Sequence, residues 1–190
     1  MKIFDILDLH QEKPTHEIGG MEMTSAAYSG VYSIPVTPFN EDKSIDFKSL
    51  EKCLEFLVTG GSDGIVLPVN VSEASKLSDS EKDAILRSAV DVVDYEVPII
   101  AGVTGSSTEH VLERAQKSEE YGIKSIMCMP PMNYSSESEF FDFYATLSDK
   151  TSMHIWVQNN KPPACPSIPQ TILARIINES LSIQTFREKL

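Results

Sequence analysis

Residues Gly30–Asp46 read GVYSIPVTPFNEDKSID. A β-branched and aromatic run comes first, then a Thr-Pro-Phe break, an acidic turn and an Ile-Asp step into the next segment. The opening run suits a strand, and the Pro and Asn-Glu-Asp-Lys stretch suits a turn. Asp46 then begins a stretch of helical period. Over Asp46–Val58 the residues Phe47, Leu50, Cys53, Leu54 and Leu57 recur at spacings of three and four, which turns one helix face toward a core. Strand, turn and helix follow in quick succession.

Further along, the unit repeats. Gly64–Val69 (GIVLPV), Val97–Val103 (VPIIAGV), Ser125–Met129 (SIMCM) and Met153–Gln158 (MHIWVQ) are continuous apolar runs, the pattern of parallel strands covered on both faces. Leu181–Phe186 (LSIQTF) is a weaker sixth. Between them, Ser78–Val93 and Thr108–Tyr121 carry helical spacing. Ser78 with Glu81 forms a capping box, and Gly60–Gly61 and Gly122 stand where helices stop. This alternation predicts an α/β fold with a parallel sheet, either closed as a barrel or open with helices on both faces. No GxGxxG follows the first strand, so a dinucleotide-binding open sheet has little support. Periodicity alone leaves the two architectures level.

Composition narrows the function. The 190 residues hold 16 Lys+Arg against 28 Asp+Glu, a formal charge of −12, with 41% hydrophobic and 23% charged residues. Such acidity argues against a nucleic-acid partner, which needs a basic surface. No apolar run approaches the ~18 residues of a membrane span, so no membrane partner is expected. The start, MKIFDILDLHQEKPTHE, lacks a long apolar core of a secretory signal, and the expected location is cytoplasmic. Cys53, Cys128 and Cys165 are odd in number and unpaired in spacing; they read as buried thiols of a reducing compartment. No metal-ligand spacing appears. Residues 1–29, with Pro14, Gly19 and Gly20, are expected to be a poorly ordered extension ahead of one domain, 30–190.

The blocks in order resemble the dihydrodipicolinate synthase / N-acetylneuraminate lyase family. GVYSIPVTPFNEDKSID resembles its opening. DGIVLPVNVSEASKLSDSEK stands where the family has DGI…GTTGE…LS..E, VPIIAGVTGSSTEH is similar to its P-I-AGV…ST block, GIKSIMCMPPMNY to its strand-four stretch, and WVQNNKP to its strand-five YN-x-P. The resemblance covers about residues 28–188. It implies a (β/α)8 TIM barrel, of which this chain carries about strands one to six in parallel. A whole barrel takes roughly 250 residues, so 30–190 is expected to be an incomplete barrel domain. The resemblance further implies a lyase acting on a small-molecule 2-oxo acid, commonly pyruvate, by aldol cleavage, condensation or dehydration. No cofactor and no metal are implied. A strand-six lysine attacks the ketone as a neutral amine, and the resulting iminium is the electron sink. A Thr-Thr pair after strand two grips the carboxylate, and a strand-five tyrosine relays protons. A homo-oligomer, or pairing with a full-length relative, is the expected assembly.

This chain departs from the family at each of those points. Asn70–Val71 stands at the Thr-Thr pair, where Asn70 retains a side-chain N–H and Val71 only its backbone. Gln158 stands at the tyrosine and cannot act as an acid or base. Arg187 stands at the lysine, and a guanidinium stays protonated. Lys189 lies two residues on, a weaker candidate amine near the terminus. Thr37 is either a substrate-facing hydroxyl at the site mouth or a strand-end hydroxyl preparing the turn at Pro38. Thr37, Asn70 and Gln158 are expected to gather at the carboxyl ends of their strands. The competing readings are a non-catalytic homologue and a small-molecule binding or partner subunit.

Other residues have plainer readings. Glu73 reads as a carboxylate at a helix start, His154 as structural, His110 as solvent-facing and Trp156 as core. Asn159–Asn160 with Pro162–Pro163 reads as a turn leaving strand five, and Tyr134 follows Met132 and Asn133 where the family has a tyrosine pair.

Overall fold

Asp46 closes the acidic turn and caps the first helix: its carboxylate accepts from the Ser49 N–H at 3.1 Å, while an antiparallel bridge between Phe39 and Ile45 ties the turn's two arms. The computed structural model describes residues 28–160, 162, 165–179 and 183–188, with the backbone of 17–18 and 21–22. The expectation for residues 1–29 falls mostly outside these. Within them, Glu17–Ile18 and Met21–Glu22 form a short antiparallel ladder, and Tyr28 packs on the sheet.

Six strands alternate with five helices: β1 (Tyr32–Ser33), α1 (Phe47–Thr59), β2 (Gly64–Leu67), α2 (Asp79–Val93), β3 (Ile99–Gly102), α3 (Thr108–Glu120), β4 (Ser125–Cys128), α4 (Glu137–Lys150), β5 (His154–Asn159), α5 (Gln170–Glu179) and β6 (Ile183–Glu188). All six strands pair in parallel and in chain order, as the apolar runs predict. The architecture is a partial (β/α)8 barrel. Capping explains the helix starts. Ser78–Glu81 and Ser136–Glu139 are full capping boxes, and Ser107 accepts from the His110 N–H at 3.2 Å.

Apolar side chains divide between two clusters. One lies between sheet and helices, with Leu54, Ile65, Leu86, Ala101, Ile126, Tyr144, Ile155 and Val157 among its members. The other lines the inner face: Val66, Val69, Ile100, Met127 and Trp156, with Tyr28, Tyr32 and Ile34 against it. Alternation along each strand sends neighbours to opposite faces. Trp156 is in the core, as expected.

Every strand's limits differ from its apolar run, by one or two residues at most ends, and three differences have a visible cause. β1 pairs only at Tyr32–Ser33 instead of Gly30–Val36, because Gly30 takes φ +102° and Pro35 has no N–H to donate. β3 begins at Ile99 rather than Val97, after Pro98. β6 runs two residues past Phe186, since a bulge beside Ile155 and Trp156 shifts the register. Cys128 and Cys165 are buried free thiols, but Cys53 is half-buried on α1.

Candidate functional site

At the carboxyl ends of the strands, four loops meet around one thioether. Met127 belongs to the inner face, and alternation brings Met129 to it two residues later. The Met129 N–H donates to Thr104 Oγ1 at 3.1 Å. Its Sδ receives the Asn70 Nδ2 amide at 3.8 Å and the Asn160 Nδ2 amide at 3.4 Å. Residues following β2, β3, β4 and β5 are thereby joined. Thioether sulfur is a weak acceptor, so both amides keep most of their capacity to donate.

Gln158 sits two residues before Asn160 and two after Trp156 on β5, buried at 6% exposure. Its Oε1 is buried without a hydrogen-bond partner among the described residues. The intervening Asn159 faces the other way and clamps the next segment: Nδ2 donates to the Ile168 carbonyl at 3.1 Å, and Oδ1 accepts the Ile168 N–H at 2.9 Å. The turn read at Asn159–Asn160 thus holds two opposed side chains, a backbone clamp at Asn159 and an amide donating to Met129 at Asn160.

Thr37 is buried, and its hydroxyl donates to the Ser72 carbonyl at 2.7 Å. Ser72 Oγ returns a bond to the Pro35 carbonyl at 2.8 Å, so the loops after β1 and β2 hold each other. Val71 beside them is 53% exposed. The backbone ladder pairs Arg187 with Gln158 and Glu188 with Asn159. Lys189 lies outside the described residues.

Support for the site comes from α2 and α3. Arg114, 4% exposed, donates to the Gly102 carbonyl and to Asp79 Oδ1, each at 3.1 Å. It holds the end of β3 against the helix layer. Burial pushes the Asp79 carboxyl up, but Lys82, Arg114 and His110 together hold it below the usual range. Gly102 is needed here: a Cβ would stand 1.9 Å from the Pro68 carbonyl oxygen.

Several simpler readings change. His110 is not solvent-facing but half-buried, with Nε2 3.0 Å from Asp79 Oδ2 and Nδ1 facing the Ser106 N–H at 3.3 Å. Glu73 starts no α-helix, only the 3-10 turn Ala74–Lys76, of which it is the N-cap. It takes φ +57° between two short 3-10 turns and pairs with Lys76 at 2.7 Å. Tyr134 bonds Thr108 Oγ1 at 3.1 Å and meets Phe143 edge-on. At the opposite, amino end of the sheet, Tyr28 stacks on His154, and burial holds that imidazole down to about 4.

Thr104, Met129 and Asn160 escape sequence reasoning. The available signal was period two: Met129 follows Met127, and Asn160 follows Gln158, on one face of successive strands. Among the described residues no group of three or more His, Cys, Asp or Glu is placed to hold a metal. No described helix is long and apolar enough to cross a membrane.

Residues 27–162 match the Dihydrodipicolinate synthetase family. An L-2-keto-3-deoxyarabonate dehydratase of Azospirillum brasilense is 28% identical over 172 residues, covering 87% of this chain and 55% of its own length. A 4-hydroxy-tetrahydrodipicolinate synthase of Haloarcula marismortui is 33% identical over 138 residues, 72% of this chain and 45% of that protein. The crystal structure of a dihydrodipicolinate synthase from Bacillus anthracis superposes with a TM-score of 0.78 at 26% identity, covering 84% of this chain and 55% of that one. The chain spans about half the length of the curated relatives it matches.

Proposed function

This chain belongs to the dihydrodipicolinate synthetase family, and on that footing we propose that its strand ends hold a small 2-oxo acid within a lyase-type site. The chemistry is making or breaking a C–C or C–O bond next to the ketone. The observation that carries this reading is the pair of amides on Met129: Asn70 and Asn160 approach from two different strands and, among the described residues, donate only to a thioether. A carboxylate is a far stronger acceptor and would take both N–H groups in its place. Asn70 then fills the carboxylate-gripping role, with the Val71 backbone beside it, and Thr37 shapes the mouth through Ser72.

Turnover by imine chemistry needs an amine. Arg187, paired in register with Gln158, cannot supply one because its guanidinium stays protonated. Gln158, likewise, cannot relay a proton. The chain as it stands therefore binds its 2-oxo acid without forming an imine at position 187. The test is borohydride reduction with pyruvate followed by intact-mass analysis, alongside calorimetric titration of pyruvate. Binding without a covalent adduct is expected. A stoichiometric adduct on Lys189 would instead make this chain a working Schiff-base lyase, and absence of any binding would remove the 2-oxo acid.

A second reading, association with another copy or a longer relative, is favoured by the ladders: among the described residues β1 pairs only with β2, and β6 only with β5. Residues 30–190 act as one unit in either case. Free thiols at all three cysteines suit the reducing cytoplasm.

A further inference from the structure

We infer that Gln158 selects a 2-oxo acid carrying a hydroxyl on the carbon next to its ketone. This rests on the reading that the strand ends hold a 2-oxo acid. A 2-oxo acid itself presents only acceptors, its keto oxygen and its carboxylate, and the amides of Asn70 and Asn160 answer those. Gln158 Oε1 is also an acceptor, buried and without a partner among the described residues, on a residue only 6% exposed. No part of pyruvate can satisfy it. A hydroxyl hydrogen can, because it donates to the amide oxygen at normal geometry.

Position supports the match. Gln158 lies on the same face of β5 as Asn160, two residues earlier, one step deeper than the amide assigned to the carboxylate end. A ligand whose carboxylate meets Asn70 and Asn160 extends its carbon chain along that face toward Gln158. An unsatisfied buried acceptor penalises any ligand that covers it without donating. The site thus discriminates against the apolar analogue as well as favouring the hydroxylated one, the mechanism by which hydrogen-bonding sites reject ligands lacking a hydroxyl.

The test compares 3-hydroxypyruvate with 2-oxobutanoate, which differ by a hydroxyl in place of a methyl, using calorimetric titration on the full 190-residue chain. Wild type is expected to bind 3-hydroxypyruvate at least about tenfold more tightly. Gln158→Met, close in length and without an acceptor, is expected to bring the two affinities within about twofold by loosening 3-hydroxypyruvate. Equal wild-type affinities overturn the role of Gln158 while leaving the 2-oxo acid site standing. So does discrimination that survives in Gln158→Met. Failure of wild type to bind pyruvate or either probe overturns both readings together. If Gln158→Met does not fold, the wild-type ratio alone decides.

Discussion

Tyr28 lies flat against His154, with ring centroids 4.5 Å apart and planes inclined by 17°. Trp156 meets the same tyrosine edge-on at 5.5 Å, and the Tyr28 hydroxyl bonds Ser125 Oγ. A residue preceding the first strand is thereby fastened to β4 and β5, across the inner face of the sheet. The contact covers part of the amino end of the sheet and leaves His154 half-buried.

That burial makes stability depend on pH. The imidazole of His154 is held down to about 4, against an ordinary value near ~6.5. Between those values the unfolded chain binds a proton that the folded chain does not. Stability therefore falls as pH drops through this window and levels off below it, by up to about 3 kcal/mol. Urea midpoints from pH 7.5 to 4 measure the effect. His154→Phe keeps an aromatic ring and should flatten this part of the profile; an unchanged slope would mean that other groups set it.

Tyr28→Ala should act on the same histidine. Loss of the stacked and edge contacts is expected to destabilise the fold by about 2 kcal/mol and to let water reach the imidazole. The His154 pKa should then move up from about 4, as followed by the NMR shift of its ring protons. A resonance that titrates as in wild type would assign the burial to other neighbours.

Gly102→Ala should disturb the site from beneath. The new methyl would meet the Pro68 carbonyl at 1.9 Å, so β2 and β3 must separate. A loss of about 2–3 kcal/mol is expected, seen as a lower melting temperature. An unaltered melting temperature would show that the loop after β2 yields freely.

Arg114→Met tests the α2–α3 brace. Its guanidinium serves both the Gly102 carbonyl and Asp79, whereas Lys82 and His110 remain on Asp79 without it. The expected cost is about 2 kcal/mol in urea unfolding, with the Asp79 carboxyl rising as the Arg114 charge beside it is lost. A neutral result would make the methionine's packing an equal substitute.

Thiol labelling separates the three cysteines. Burial pushes Cys128 up to about 12, so almost no thiolate exists at pH 8, and reagent access requires opening of the fold. Cys53, half-buried on α1, is expected to react first in the native protein, and Cys128 only as the chain unfolds. Fast native labelling of Cys128, located by mass mapping, would contradict its burial.

The architecture was legible in the sequence because its signals are local. Continuous apolar runs mark strands covered on both faces, threefold and fourfold spacings mark helices, and Ser78–Glu81 marks a start; each depends only on neighbours along the chain. Parallel pairing in chain order followed, because a helix between strands returns the chain to the same end of the sheet. The positions of Thr37, Asn70 and Gln158 at strand ends follow from the same period.

What only the tertiary structure decided is who meets whom there. Asn70 and Asn160 are ninety residues apart in sequence and converge on Met129. No spacing rule links them, since the curl of the sheet sets that distance. Likewise, Thr37 spends its hydrogen on Ser72 and His110 is drawn in by Asp79, because a hydroxyl or imidazole takes whichever partner packing brings near. The strand limits also belong to this level: a ladder ends where its neighbour ends, and β1 and β6 each have one neighbour among the described residues. Local chemistry sets the elements; contacts between distant residues, which sequence distance does not encode, set the site.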